Sequence, residues 1–374
     1  MKKTIFVISY CFPNDKNPQS GCFVLDQCVL LEKAGYNIIV LNVANFNLPN
    51  YRINKKEVKE IPVYESATAI KAHSYIPRTT YFIYNYLYGR LFKQAVREIG
   101  KPDLIYAHFS YPTGFVAQNL SQKYNIPYAV MEHSSMFFER VPCFVKKRLP
   151  GLVEGAKNFM CVSESLKKSI EAILPELSKK IMVVYNAIDS SFDYEPKQAD
   201  DNVFKFFSAG NLVPIKQFHI LIEAIAKLKK EGLHVSLRIA GEGVERPILE
   251  KQIKMLGLNN EVKMLGRLNK EEMRKEYIDC SAFVLPSRAE TFGIVYREAM
   301  FVGRPVICFD NGGINEGWHQ DFGIIVKEQT AEALSFDMTL MIEDYNKYNH
   351  KKISELSHSL FSPESVSSKL KELL

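Results

Sequence analysis

The chain has 374 residues, of which 47% are hydrophobic and 24% charged, and its formal net charge is +6. This composition is that of a globular protein, and the length exceeds what one ordinary core holds, so we expect two domains. No apolar run approaches the ~18 residues of a membrane span, and residues 4–9 are typical of a first strand rather than a signal peptide. The seven scattered cysteines lack a CxxC pair and the histidines lack ligand spacing, which predicts a cytoplasmic protein with reduced thiols and no bound metal.

The first half of the chain alternates short apolar runs with amphipathic segments. The helical segments include 23–36 and 113–125. The runs, which we interpret as strands, are 4–9, 37–43, 104–108, 128–133, 158–163 and 181–186. Continuous apolar strands separated by helices indicate a parallel sheet that is covered on both faces.

The second half repeats this pattern. A helical segment at 217–232 lies among strand-like runs at 205–210, 235–241, 262–266, 282–287, 305–310 and 323–326. The sequence therefore predicts an α/β protein with two Rossmann-like domains, residues 1–188 and 189–354, and the polar stretch 189–202 as the linker. Ser362 and Pro363 favour the start of a last helix, and we expect residues 355–374 to pack back on the first domain.

Charge is divided unequally between the halves. Residues 1–185 hold 24 basic and 14 acidic side chains, whereas the remainder holds 24 and 28. The basic half includes the aromatic segment 78–100, which is flanked by arginines and lysines. One interpretation is peripheral contact with an anionic membrane, and the other is a solvated face whose tyrosines pack on the domain.

Two glutamates lie close to the end of a predicted strand. Ligands of open α/β sheets bind beyond the carboxyl ends of the strands, and helix N-termini favour phosphate. The helix after strand 282–287 would present backbone amides there. Glu290 and Glu298 would instead accept hydrogen bonds from hydroxyls. A nucleoside-diphosphate sugar, with a diphosphate between two hydroxyl-rich ends, suits the arrangement; the amides belong to Thr291, Phe292, Gly293 and Ile294.

The stretch "SRAETFGIVYREAMFVGRPVI" resembles the Glu-x7-Glu signature of family-4 retaining glycosyltransferases, which have the GT-B fold. The segments "SAGNLVPIKQFHILIEA", "IAGEGVERPIL" and "LIYAHFSYPTG" resemble other parts of that family, so the resemblance covers almost the whole chain. It implies two domains that face a central cleft, with the acceptor on the N-terminal side and the donor on the C-terminal side.

The resemblance also implies roles for individual residues. Glu290 matches the residue that contacts the donor sugar, and Glu298 the one that contacts the ribose. Lys216 matches the lysine that binds the diphosphate. His133 matches a histidine that reaches the donor sugar from the N-terminal domain, and Gly21 the glycine of the loop after the first strand.

The sequence departs from the family at Asn211, where the family has an arginine five residues before its lysine. Asparagine carries no charge and cannot grip a phosphate bidentately. Arg267 and Arg288 are candidates for the missing cation.

Simpler interpretations remain for these residues. Glu290 could cap the following helix, and Glu298 could pair with Arg297 or Arg304 on a solvated face. His133 could be a structural strand-end histidine, which is how we interpret His108; Lys216 could be a surface lysine and Gly21 a turn. The segment "GEGVER" lacks the third glycine of a dinucleotide fingerprint, so we expect no NAD.

The sequence thus predicts a retaining glycosyltransferase of the hexosyltransferase type that acts in bacterial polysaccharide biosynthesis. The expected partners are a nucleoside-diphosphate sugar and a glycan, lipid-linked or other hydroxyl acceptor, with no nucleic acid and no cofactor. Localisation at the inner face of the membrane is an extension of the cytoplasmic prediction. The alternatives are a nucleotide-sugar-binding subunit with weak or no catalysis, and a nucleotide-sugar epimerase or hydrolase on the same fold.

Overall fold

The computed structural model describes residues 2–14, 20–45, 51–72, 76–134, 141–196 and 203–374. The chain divides into two compact units. The N-terminal unit comprises Met1–Ala187 with Pro363–Leu374, and the C-terminal unit comprises Ile188–Ser362. The predicted division at residues 188 and 189 differs from this one by a single position.

The described part of the N-terminal unit contains an eight-stranded sheet in the order β3-β4-β2-β1-β5-β6-β7-β8. Its strands are β1 Thr4–Ser9, β2 Asn37–Asn45, β3 Asn54–Val58, β4 Ile61–Thr68, β5 Leu104–His108, β6 Tyr128–Glu132, β7 Asn158–Cys161 and β8 Ile181–Val183. The helices of this part are α1 Cys22–Lys33, α2 Pro77–Ile99, α3 Phe115–Tyr124, α4 Cys143–Gly155 and α5 Glu164–Glu171. All strand pairs are parallel except β3 with β4. Strands β5 and β6 are buried along their whole length, as expected where helices cover both faces.

The C-terminal unit is built around a six-stranded parallel sheet in the order β11-β10-β9-β12-β13-β14. Its strands are β9 Phe204–Ala209, β10 Val235–Ala240, β11 Val262–Gly266, β12 Ala282–Leu285, β13 Val306–Phe309 and β14 Gly323–Val326. Its helices are α6 Phe218–Lys230, α7 Arg246–Met255, α8 Lys270–Asp279, α9 Ile294–Phe301, α10 Ala331–Glu343 and α11 His350–Phe361. The two sheets, one parallel and the other parallel except for the pair β3 and β4, confirm with their helices the prediction of two Rossmann-like α/β domains.

The last helix, α12 Pro363–Leu373, belongs to the N-terminal unit. Val366 and Leu370 are buried, and Lys157 donates to the main-chain oxygen of Leu374 over 2.8 Å. The returning segment begins at Pro363 rather than at residue 355. Residues 355–361 stay with the C-terminal unit as part of α11, where the side chain of Phe361 is fully buried.

The predicted linker is in part an ordered piece of the C-terminal unit. Asp189 accepts a hydrogen bond from Lys270 over 2.7 Å, and Phe192 is buried against the ring of Tyr277. Asp189 and Phe192 therefore attach this stretch to the C-terminal unit, and residues 197–202 lie outside the described part of the chain. Among the described residues, no helix combines the length and the apolar character that crossing a bilayer requires.

Candidate functional site

The centre of the C-terminal sheet is where the chain reverses its direction of progress across the sheet. From β9 the order runs outward through β10 to β11, and on the other side from β12 through β13 to β14. In open α/β sheets, ligands bind beyond the carboxyl ends of the strands at such a switch point. The loops after β9 and β12 carry Asn211, Lys216 and Glu290, so these three predicted residues belong to this point of the sheet.

Lys216 and Glu290 meet directly. The Lys216 Nζ donates a hydrogen bond to Oε1 of Glu290, and the two side chains are only 19% and 12% exposed. The two loops are also joined through their backbones, since the Arg288 N–H donates to the Ile215 carbonyl over 2.8 Å. Lys216 is therefore a mostly buried lysine in an ion pair rather than a freely solvated one.

The backbone of Glu290 is anchored to the loop after β13. Its N–H donates to the Asn311 carbonyl, and its carbonyl accepts from the Gly313 N–H, each over 3.0 Å. The buried Arg297 guanidinium holds that loop by donating to the carbonyls of Gly313, Ile314 and Glu316. Three loops thus converge at Glu290, and this convergence anchors its backbone, while Lys216 contacts its carboxylate.

Glu290 does not cap the following helix, contrary to the simpler interpretation. The N-cap of α9 is Gly293, where no side chain makes a capping hydrogen bond. Gly293 has a φ of 76°, and a Cβ there would lie 2.5 Å from the ring of Tyr296, so only glycine fits. Ile294 is the first residue of α9, whereas Thr291 and the buried Phe292 precede the helix.

Glu298 lies on α9 and accepts a hydrogen bond from a buried tyrosine. The Tyr277 hydroxyl is 2.9 Å from Glu298 Oε2. Arg297 and Arg304 do not form a solvated face beside Glu298, because both arginines are buried and donate to backbone carbonyls. Sequence reasoning missed Tyr277, since its position in α8 indicates only a core residue.

The candidate cations differ in their placement. Asn211 follows β9 and is exposed, as are Arg267 and Arg288. Arg288 is joined through its backbone to the turn that carries Lys216, whereas Arg267 follows β11 at the edge of the sheet. Arg288 is therefore the better placed of the two to supply a charge near Lys216.

Gly21 and His133 belong to the N-terminal unit, on connections that follow β1 and β6. Gly21 is the N-cap of α1, with a φ of 63°, and a Cβ there would lie 2.3 Å from the Cys11 carbonyl. The chain therefore passes very close to itself at this turn. The Phe23 ring at the start of α1 lies 4.5 Å from the His133 ring, which brings the two predicted residues into one region.

His133 is paired with His108 inside the same unit. His108 Nδ1 lies 3.0 Å from His133 Nε2, so one ring donates to the other. Burial lowers the pKa of His133 well below its usual value, with His108 adding to the effect, and burial alone lowers the pKa of His108 to about 3. Both rings are therefore neutral at physiological pH.

The neighbouring Glu132 is fully buried, and burial raises the pKa of its carboxyl group. Its carboxylate oxygens accept hydrogen bonds from the N–H groups of Ser110, His133 and Ser134. These bonds tie the end of β6 to the segment after β5. Within the described ranges, no group of three or more His, Cys, Asp and Glu side chains is placed to hold a metal ion.

Two family models match successive parts of this chain. Residues 23–192 match the model of glycosyltransferase family 4, and residues 189–355 match the model of glycosyl transferases group 1. Together they extend over both units.

Relatives and solved structures are consistent with these matches. A putative teichuronic acid biosynthesis glycosyltransferase of Bacillus subtilis is 25% identical, over 93% of this chain and 90% of its own. Sucrose-phosphate synthase from Thermosynechococcus elongatus has a TM-score of 0.80 at 20% identity, over 100% of this chain and 98% of its own. The Anabaena protein HepE in complex with UDP-glucose has a TM-score of 0.73 at 19% identity, over 99% and 98%.

These matches confirm that the chain is an enzyme of the glycosyltransferase class with the predicted GT-B fold. They support the family-4 type that the sequence motifs resemble.

Proposed function

We propose that the protein is a retaining glycosyltransferase that transfers a sugar from a nucleoside-diphosphate sugar to a hydroxyl group of a glycan or lipid-linked acceptor. The observation that carries the proposal is the contact between Lys216 and Glu290 at the switch point of the C-terminal sheet. A cation for the diphosphate and a carboxylate for a sugar hydroxyl then lie where a nucleotide sugar needs them. The retaining stereochemistry rests on the Glu-x7-Glu resemblance.

In this proposal Lys216 stabilises the charge that grows on the leaving diphosphate. A preorganised donor in a partly buried site does so more effectively than water. Glu290 orients the donor sugar, Glu298 binds the ribose, and neither is assigned as a covalent nucleophile. We propose no resident metal, and activity should accordingly persist in EDTA.

The test is a thermal-shift screen with UDP, GDP, ADP and their sugars. A ligand at 100 times its Kd stabilises the folded state by about 2.7 kcal/mol, which raises the melting temperature. The UDP complexes of structural neighbours make UDP-sugars the first candidates. Donor consumption with acceptor glycans, followed by NMR of the product anomer, tests transfer and retention. An inverted product anomer would contradict retention.

A second candidate is a nucleotide-sugar-binding subunit that does not turn over its ligand. The neutral Asn211 favours it, because the diphosphate then lacks one of the family's two cations. Such a subunit would bind the nucleotide in the screen and yield no product with any acceptor.

The substitution Asn211→Arg tests how much diphosphate affinity is lost because Asn211 carries no charge. A charge-assisted hydrogen bond is worth about 1.5–3 kcal/mol against 0.5–1.5 kcal/mol for a neutral one, so we expect nucleoside diphosphate to bind about tenfold more tightly at low ionic strength. Calorimetric titration of both proteins gives the answer. If Arg288 already supplies the cation, the added guanidinium meets like charge and the affinity stays unchanged or falls. That result would rule out the idea that Asn211 weakens diphosphate binding.

We further propose that the N-terminal unit touches an anionic membrane through α2. Its exposed positions recur at helical spacing and combine aromatic and basic side chains, with Phe82 66% and Tyr86 65% exposed. Glu98 is the single acidic residue of this helix. Basic aromatic faces bind anionic interfaces; the exposed face comprises Arg78, Phe82, Tyr86, Lys93 and Arg97.

Vesicle flotation tests this contact. We expect the protein to float with phosphatidylglycerol vesicles and not with phosphatidylcholine vesicles, and salt should release it because exposed charges are screened. Phe82→Ser should reduce the bound fraction several-fold. The control is Phe336→Ser, which removes a phenylalanine that is 65% exposed on α10 of the C-terminal unit. Equal losses in the two variants would refute a specific role for α2.

A further inference from the structure

Tyr277 connects the interior of the C-terminal unit to the carboxylate of Glu298. It lies on α8 and is fully buried, with its ring centroid 5.1 Å from that of Phe207, 5.6 Å from that of Phe283 and 5.7 Å from that of Phe192. These three aromatic rings hold the ring of Tyr277 in one orientation. Its hydroxyl group therefore has a fixed position.

The single hydroxyl proton of Tyr277 has two acceptors on α9. Glu298 Oε2 lies 2.9 Å from the hydroxyl oxygen, and the Val295 carbonyl lies 3.1 Å from it. Burial, with the charge of Glu298 adding to it, raises the pKa of Tyr277 well above its usual value. The hydroxyl thus stays protonated and remains a donor throughout the physiological range.

We propose that Tyr277 is a positioning residue that orients the Glu298 carboxylate toward the ribose hydroxyls of the donor nucleotide. This inference rests on the proposed role of Glu298. A carboxylate has about four acceptor positions, so one hydrogen bond to Oε2 can set its plane and leave acceptors for a ribose diol. Without the Tyr277 hydroxyl, the flexible side chain of Glu298 would lose rotamer entropy when the nucleotide binds. That loss would weaken the selection for ribose.

Discrimination between ribose and deoxyribose is the readout that separates positioning from a structural role. UDP, GDP and ADP are titrated beside dUDP, dGDP and dADP. The base whose ribonucleotide binds most tightly is then used to compare the two Kd values in every variant. Loss of one hydrogen bond to a charged acceptor costs about tenfold in affinity, so we expect the wild-type protein to prefer the ribonucleotide by at least that factor.

Tyr277→Phe keeps the packed ring and removes the hydroxyl. We expect it to lower the ribose preference at least threefold while the Kd of the deoxynucleotide changes less than twofold. Glu298→Gln should abolish most of the preference, and the double variant should match Glu298→Gln because Tyr277 acts through Glu298. If the phenylalanine variant does not fold, Tyr277→Met also lacks the hydroxyl and replaces it in the cycle.

The matched control is Tyr128→Phe in the N-terminal unit, which removes a hydroxyl that donates to the Leu152 carbonyl over 2.8 Å. It should lower the melting temperature and leave the ribose preference unchanged. If the wild-type ribose preference persists in Tyr277→Phe but falls in Glu298→Gln, the positioning role of Tyr277 is overturned while the ribose role of Glu298 stands. Absence of any preference in the wild-type protein overturns the ribose role of Glu298, and the inference with it.

Discussion

Replacing Lys216 with alanine is expected to lower the turnover number about 10²–10³-fold while the fold survives, as when one preorganised hydrogen-bond donor is lost from an active site. Lys216 lies in a surface loop after β9 and is 19% exposed, so its removal opens no core cavity. Steady-state assays measure the turnover, and circular dichroism shows whether the fold is retained. Wild-type turnover in this variant would refute the assignment.

The contact with Glu290 complicates this substitution, because alanine also removes the ion-pair partner of a carboxylate that is only 12% exposed. A double-mutant cycle of Lys216→Met, Glu290→Gln and both together separates the two effects. If Lys216 acts on the diphosphate, Lys216→Met should still lower the turnover number when residue 290 is already glutamine. Lys229→Ala, which removes a lysine that pairs with Glu261 elsewhere in the same unit, is the control and should retain full activity.

The strands were largely predictable from the sequence because parallel strands covered on both faces are continuous apolar runs. Strands β1, β5, β11 and β14 have the predicted bounds. The hairpin of β3 and β4 was missed. Strand β3 reads "NKKEV", and it lies at the edge of the sheet, where charged side chains are tolerated and protect against aggregation. Apolar periodicity cannot reveal such a strand.

The sequence motifs single out Lys216 and Glu290 individually, but they do not reveal that the two side chains meet. Lys216 and Glu290 are 74 positions apart, and only the adjacency of β9 and β12 brings them together. His108 was interpreted as structural, yet it lies within hydrogen-bond distance of His133, because β5 and β6 are neighbours. A single sequence gives strand order only weakly, so contacts of this kind require the fold.

Glutamine substitutions at Glu298 and Glu290 should separate the contribution of nucleotide binding to donor affinity from that of sugar binding. Glu298→Gln is expected to weaken the binding of free nucleoside diphosphate and of the complete donor about tenfold each, since an ionised acceptor of the ribose hydroxyls becomes a neutral one. The nucleotide is common to both ligands. The two losses should therefore be equal.

Glu290→Gln is expected to weaken only the complete donor, because the proposed partner of Glu290 is the sugar. The ion pair with Lys216 adds a second consequence. In the wild-type protein the diphosphate competes with Glu290 for the lysine ammonium, and neutralising Glu290 removes the competitor and a negative charge near the phosphates. Free nucleoside diphosphate should therefore bind Glu290→Gln at least as tightly as it binds the wild-type protein.

Calorimetric titration of both variants with the nucleoside diphosphate and its sugar gives four affinities, and each variant is the control for the other. The informative quantity is the ratio of donor affinity to nucleotide affinity. It should stay at the wild-type value in Glu298→Gln and fall in Glu290→Gln. Equal losses of nucleotide affinity in both variants would refute this division of roles. If Glu290 contacts only the sugar, it can influence the binding of a nucleotide without a sugar only through Lys216. That influence would strengthen nucleotide binding in Glu290→Gln rather than weaken it.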